Sequence, residues 1–191
     1  LVGYIIIILS IVALGLMIAN FIWLQRSRLM PPPVVSALRQ LVFAGQLLSA
    51  KEFCNKPENS CAVTRPLAVA LARCESSPLG LLEIRTAVQE AVEYESDRLY
   101  RGTDGIGLLA ALGPMLGLLG TVIGMIGAFG TIGQMEGAAR SQQLSDFMSL
   151  ALVATAMGLI VAIPCTAAYS LFRRRIEHMV SDIARELEAI V

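Results

Sequence analysis

Leu112-Gly113-Pro114-Met115-Leu116-Gly117-Leu118-Leu119-Gly120-Thr121-Val122-Ile123-Gly124-Met125-Ile126-Gly127 is the stretch on which the reading of this chain turns. Its glycines fall at 113, 117, 120, 124 and 127, spaced four, three, four and three, which holds all five on one face of an α-helix. Glycine costs about 1 kcal/mol per helix position relative to alanine, so such a stripe needs a compensating contact. A bilayer supplies no hydrophobic force between helices, and small residues let two backbones approach closely. Gly113, Gly117, Gly120, Gly124 and Gly127 are therefore candidate helix-packing residues, forming a seam either inside the chain or between subunits. The stripe is not a phosphate loop, because the Lys-Ser/Thr that ends such a loop is missing.

The surroundings of this stretch are as apolar as the stretch itself. The 191 residues are 55% hydrophobic and 16% charged, with a mean hydropathy of +0.68, whereas soluble domains carry about 25% charged residues. Residues 1–25, 105–135 and 147–172 contain no charged residue at all. A bilayer span needs roughly 20 mainly apolar residues, so these runs predict three transmembrane helices. A soluble enzyme, a nucleic-acid binder and a disordered chain are excluded. Net charge is zero, from 15 basic and 15 acidic residues, which points to no polyanionic partner. The first run is longer than a signal-peptide core of about 7–15 residues and has its arginines behind it, at 26 and 28. It reads as a retained span.

Basic residues assign the sides. Those near span ends decide orientation, and Arg26, Arg28, Arg98, Arg101, Arg173, Arg174 and Arg175 all fall on one side, while the link between the second and third runs holds only Arg140. The expected division is a first transmembrane helix at 1–25, a cytoplasmic helical domain at 26–104, a second transmembrane helix at 105–135, a short external loop at 136–146, a third transmembrane helix at 147–172, and a cytoplasmic amphipathic tail at 173–191. The fold class is an all-α integral membrane protein with three transmembrane helices. Its second and third helices extend into the cytoplasm.

Within 26–104, Pro31-Pro32-Pro33 predicts a stiff extended corner. Apolar residues at 34, 35, 38, 41, 42, 47 and 48 follow a period near 3.6 and predict one helix from Val34 to Ala50. A turn at Asn55–Ser60, a second helix at Thr64–Arg73, a break at Ser76-Ser77-Pro78 and a third helix at Leu79–Tyr100 complete a helical bundle. Cys54, Cys61 and Cys74 sit where thiols stay reduced, and their spacing is not that of a zinc site. Cys165, in the third span, reads as a small packing residue.

Thr121 stands beside the glycine stripe and Thr155 near the middle of the third run, with Thr166 three turns beyond it. A helical threonine commonly donates to a carbonyl of the preceding turn. Two mid-bilayer threonines on adjacent spans can instead line a narrow polar path, and both readings stand for Thr121 and Thr155. No Asp, Glu, Lys, Arg or His lies inside any of the three runs, so a proton path here needs a carboxylate from a partner. Asp146, the nearest acid, reads as a residue near a helix N-terminus, favoured there by the dipole. Pro164 predicts a kink in the third helix. Nucleophile, base and orienting group nowhere occur together, so no catalytic residues, metal ligands or cofactors are assigned.

At this point a resemblance emerges. Leu112 to Ile126, together with Ala154-Thr155-Ala156-Met157-Gly158-Leu159-Ile160-Val161-Ala162-Ile163-Pro164, resembles the paired signatures of the MotA/TolQ/ExbB proton channel family, most nearly its ExbB/TolQ branch. The layout of spans matches as well. MotA-type flagellar stators usually carry four spans, and three favours ExbB/TolQ. The resemblance implies a homopentamer around a dimer of a single-span ExbD/TolR-like partner whose intramembrane aspartate supplies the missing acid. It also implies a multi-pass protein of the bacterial inner membrane with a periplasmic N-terminus and a cytoplasmic C-terminus. Proton flow would then drive work on a periplasmic or outer-membrane target, with Thr121 and Thr155 at the family's pore threonines. One position departs: many members carry glutamate five residues before the third-span threonine, where this chain has Leu150. The competing expectations are a non-conducting membrane scaffold and a MotA-like flagellar or gliding stator subunit. A secondary transporter fits less well, since three spans leave no room for an inverted repeat.

Overall fold

The computed structural model describes residues 2–25, 29–76, 81–132 and 138–190. The described residues are helical, with short turns between elements and no strand. The helices are α1 (Val2–Trp23), α2 (Pro32–Phe43), α3 (Leu47–Asn55), α4 (Thr64–Ser76), α5 (Leu81–Ile132) and α6 (Ala138–Ile190), with a single 3-10 turn at Pro57–Asn59 between α3 and α4. Three of them are long and apolar enough to cross a membrane: α1, α5 over Ile84–Gly130 and α6 over Ala139–Ala189.

Several elements differ from the expected ones for identifiable reasons. The helix expected over Val34–Ala50 is two helices, because Gly45 takes φ +71° and the chain turns there. That left-handed conformation is open to glycine and strained for a residue with a Cβ. The apolar period runs across the turn and hides it. Pro31 is extended, as a corner requires, but Pro32 and Pro33 open α2, where a missing N–H is no loss. The described parts of the expected helix at Leu79–Tyr100 and of the expected span at 105–135 both belong to α5, a single helix of 52 residues; positions 79–80 and 133–135 lie outside the described residues. Gly102, Gly105 and Gly107 do not stop it, since each costs only about 1 kcal/mol and no proline stands among them. Residues 138–146, expected in a loop, are the start of α6. Ala138 to Asp146 contains neither glycine nor proline, so no chain signal ends the helix there. Arg26, Arg28, the Ser77–Pro78 break and loop positions 136–137 lie outside the described residues.

The chain divides into two compact units, Leu1–Ala19 with Thr103–Leu171, and Asn20–Gly102 with Phe172–Val191. In the first, α1 runs antiparallel to α5. Val2 Cγ1 lies 3.6 Å from where a Cβ on Gly120 would stand, and Leu16 Cδ1 lies 3.3 Å from that point on Gly105. Large apolar side chains face outward here, among them Ile11 (68% exposed), Leu152 (69%) and Ile160 (70%). Such a surface suits lipid or other apolar helices.

The second unit has an enclosed core built of Leu38, Val63, Leu67, Leu99, Ile176, Ile183 and Leu187. On α6 the buried residues Phe172, Ile176, Met179, Ile183 and Leu187 recur every three or four positions, making one inward face. Arg39 on α2 pairs with Glu186 on α6 at 2.7 Å, and the Arg173 guanidinium sits 5.4 Å above the Tyr100 ring. At the start of α4, Thr64 Oγ1 accepts from the Cys61 N–H at 2.9 Å and donates to the Asn59 carbonyl at 2.7 Å.

Candidate functional site

The site is the antiparallel pairing of α5 and α6 inside the first unit. Adding a Cβ to each glycine of the stripe shows what it meets. At Gly113 the Cβ would lie 2.9 Å from the Gly158 carbonyl, at Gly117 3.0 Å from Thr155 Cα, and at Gly120 2.5 Å from Ala154 Cβ. At Gly124 it would lie 2.6 Å from Ala151 Cβ, and at Gly127 2.8 Å from the Phe147 ring. As the α5 number rises the α6 number falls by a similar step, so one register holds along the seam. The four carbon–carbon contacts are shorter than an ordinary van der Waals separation of about 3.5–4.0 Å, and the Gly113 contact to the carbonyl oxygen is as tight. The seam of five glycines is therefore an internal one.

The answering face on α6 is equally small. Ala151, Gly158, Ala162 and Cys165 are buried, and a Cβ on Gly158 would stand 2.6 Å from the Gly113 carbonyl. Sequence reasoning passed over Gly158 as a packing residue. The signal was present in the spacing of small residues 151, 154, 158, 162 and 165, which repeats the three-and-four pattern of α5.

The two threonines, alike in the sequence, differ in the structure. Thr121 Oγ1 donates to the Leu118 carbonyl of its own helix at 2.7 Å. Thr155 Oγ1 donates across the seam to the Gly117 carbonyl at 3.2 Å, which is long for a hydroxyl bond. Close approach at Gly117 is what brings that carbonyl within reach. Since Thr155 faces Gly117 and Thr121 lies one turn further along α5, the two hydroxyls stand about one turn apart in depth. Thr166 donates back to the Ala162 carbonyl at 2.8 Å, the local pattern of a helical threonine.

Other singled-out residues fall as follows. Asp146 is more than two turns inside α6, which has no acid in its first turn. The dipole explanation for it is therefore wrong, because that effect fades within a turn of the helix end. Its carboxylate accepts from Gln142 Nε2 at 3.3 Å instead. Leu150 is 65% exposed. Pro164 lies inside α6 and Pro114 inside α5, and each removes one backbone donor from its helix. Cys54 and Cys61 are buried free thiols. Burial pushes the Cys54 thiol from 9.0 up to about 12, with neighbouring Cys61 adding to the rise. The side chain of Cys74 lies outside the described residues.

Such a hairpin can offer close-packed backbone and hydroxyl oxygens to a passing proton or hydrated ion. It cannot by itself bind and release a proton within the uncharged runs, which hold no carboxylate, imidazole or amine. The family model for the MotA/TolQ/ExbB proton channel family matches residues 63–185, a stretch that contains the whole seam and both threonines. No curated protein matches the chain significantly.

Proposed function

The chain belongs to the MotA/TolQ/ExbB proton channel family, and we propose that within it the protein works in the ExbB/TolQ manner, as the ring-forming subunit of a proton-driven motor of the bacterial inner membrane. Copies of the chain, five by the family resemblance, surround a dimer of a single-span ExbD/TolR-like protein. The partner's intramembrane carboxylate takes up and releases the proton. This chain supplies the surrounding wall, with Thr155 and Thr121 as its hydroxyl groups, and Pro164 shapes the third span beside them. Proton flow turns one part against the other and drives work on a periplasmic or outer-membrane target. No enzymatic step is assigned to the chain.

The observation that carries this reading is the Thr155 hydroxyl held at the Gly117 carbonyl by a seam with no room for side chains. A part-buried hydroxyl placed between two helices in a stretch without ionisable groups is suited to pass a proton to or from a visiting acid.

A second reading, a non-conducting membrane scaffold, is favoured by Leu150 and by the absence of any acid in the runs. The reading frame beside this gene separates the two at little effort. A single-span protein with an intramembrane aspartate supports the motor, and none supports the scaffold. Imaging of the complex purified with that neighbour then tests the assembly. A ring with helices threaded through its centre is expected, and single copies or a sealed centre would overturn the proposal.

A further inference from the structure

Away from the seam, in the unit of Asn20–Gly102 and Phe172–Val191, a cavity of about 700 Å³ opens between the end of α3, the 3-10 turn, α4 and the first turns of α5. That volume lies within the roughly 300–1,000 Å³ typical of small-molecule sites. Its lining is unbalanced in charge, since Lys56, Arg65, Arg73 and Arg98 stand against only Glu90 and Glu95. Both carboxylates are already engaged. Glu95, 5% exposed, accepts from Arg65 at 2.9 Å, and Glu90 pairs with Arg73. Arg98 approaches Glu95 only at 3.7 Å, beyond hydrogen-bond length, so its donors remain available to another acceptor. Lys56 makes no ion pair among the described residues. Among these charges, one turn away along the same helix faces, the lining also carries Val69 and Tyr94, exposed at 52% and 72%.

We propose that this cavity is a binding site for a small organic anion, a phosphate or carboxylate head on an apolar or aromatic body. Cations in excess of their carboxylates hold the head through charge-assisted hydrogen bonds, and Val69 and Tyr94 take the body. The Arg65–Glu95 pair, half-buried with its carboxylate inward, fixes the wall against which the head rests. None of the residues lining this cavity belongs to the glycine seam. The same chemistry is offered by a soluble metabolite and by the head of an anionic lipid.

The probe is 1-naphthyl phosphate, titrated by ligand-observed NMR against the full chain in nanodiscs of neutral phosphatidylcholine. Saturable binding is expected, weakened roughly tenfold or more by Lys56→Gln with Arg98→Gln, as loss of two charge-assisted contacts implies. Val69→Trp, which fills the mouth and leaves every charge in place, weakens it too. 1-Naphthylmethylamine, the same body with a cationic head, and inorganic phosphate without a body both bind more weakly. If phosphatidylglycerol in the nanodisc competes with the probe, the head comes from lipid. If it does not, the ligand is soluble. No saturable binding, equal binding of the amine, or binding unaffected by both the charge and the Val69→Trp variants would overturn the proposal.

Discussion

Gly124 and Gly130 lie six residues apart on the same helix, yet the structure predicts opposite responses to a larger side chain. At Gly124 a Cβ would stand 2.6 Å from Ala151 Cβ, and at Gly130 nothing among the described residues lies within 4 Å. Gly124→Val should destabilise the protein by about 1–3 kcal/mol through overpacking, while Gly130→Ala should be neutral or add up to about 1 kcal/mol of helix propensity. Thermal unfolding in detergent reads both, and equal responses would remove the seam from the explanation. The stripe itself was legible from spacing alone, because a helix face follows directly from residue numbers. Which threonine reaches across was not, since Thr121 and Thr155 have the same chemistry and only the approach at Gly117 separates them. Cys54 supports a pH prediction. The unfolded thiol releases its proton near 9.0 and the folded one near 12, so the folded state holds that proton more tightly. The stability linked to it is present below pH 9 and is lost as pH rises from 9 towards 12. Denaturant midpoints should therefore fall more for the native protein than for Cys54→Ala over that window. Equal falls would contradict it.

At the scale of elements, the turn between α2 and α3 depends on one glycine. Gly45 holds φ +71°, and a β-branched residue there bears about 1–2 kcal/mol of left-handed strain. Gly45→Val should lower stability by that amount and Gly45→Asn by much less, as denaturant unfolding would show. Equal losses in the two variants would mean that backbone conformation is not what matters there. This turn was missed because Leu47 and Leu48 continue the apolar period of Val34–Val42. Periodicity reports which face is buried and is silent about where the axis changes direction. The same silence explains the long helices. Apolar content marks the runs 105–135 and 147–172, but the helices extend well beyond them, to Leu81 and Ile190, because nothing in the flanking polar residues stops a helix. The amphipathic tail was readable in advance, since Ile176, Met179, Ile183 and Leu187 repeat at helical spacing.

For the whole molecule, family membership and three helices long and apolar enough to span a bilayer describe a multi-pass membrane protein of the proton channel kind. What the protein lacks is as informative as what it has. Its uncharged runs carry no group that titrates near neutrality, so conduction by this chain alone is not expected, and conduction with an acid-bearing partner is. The most direct measurement is proton uptake into liposomes containing the co-purified complex, driven by an imposed membrane potential and followed with a pH-sensitive dye. The native complex should take up protons, the chain without its partner should not, and Thr155→Val should slow uptake by about tenfold, the equivalent of one hydrogen bond to the path, with Thr155→Ser restoring it. Native-rate uptake by an intact Thr155→Val complex, or equal uptake with and without the partner, would contradict the assignment.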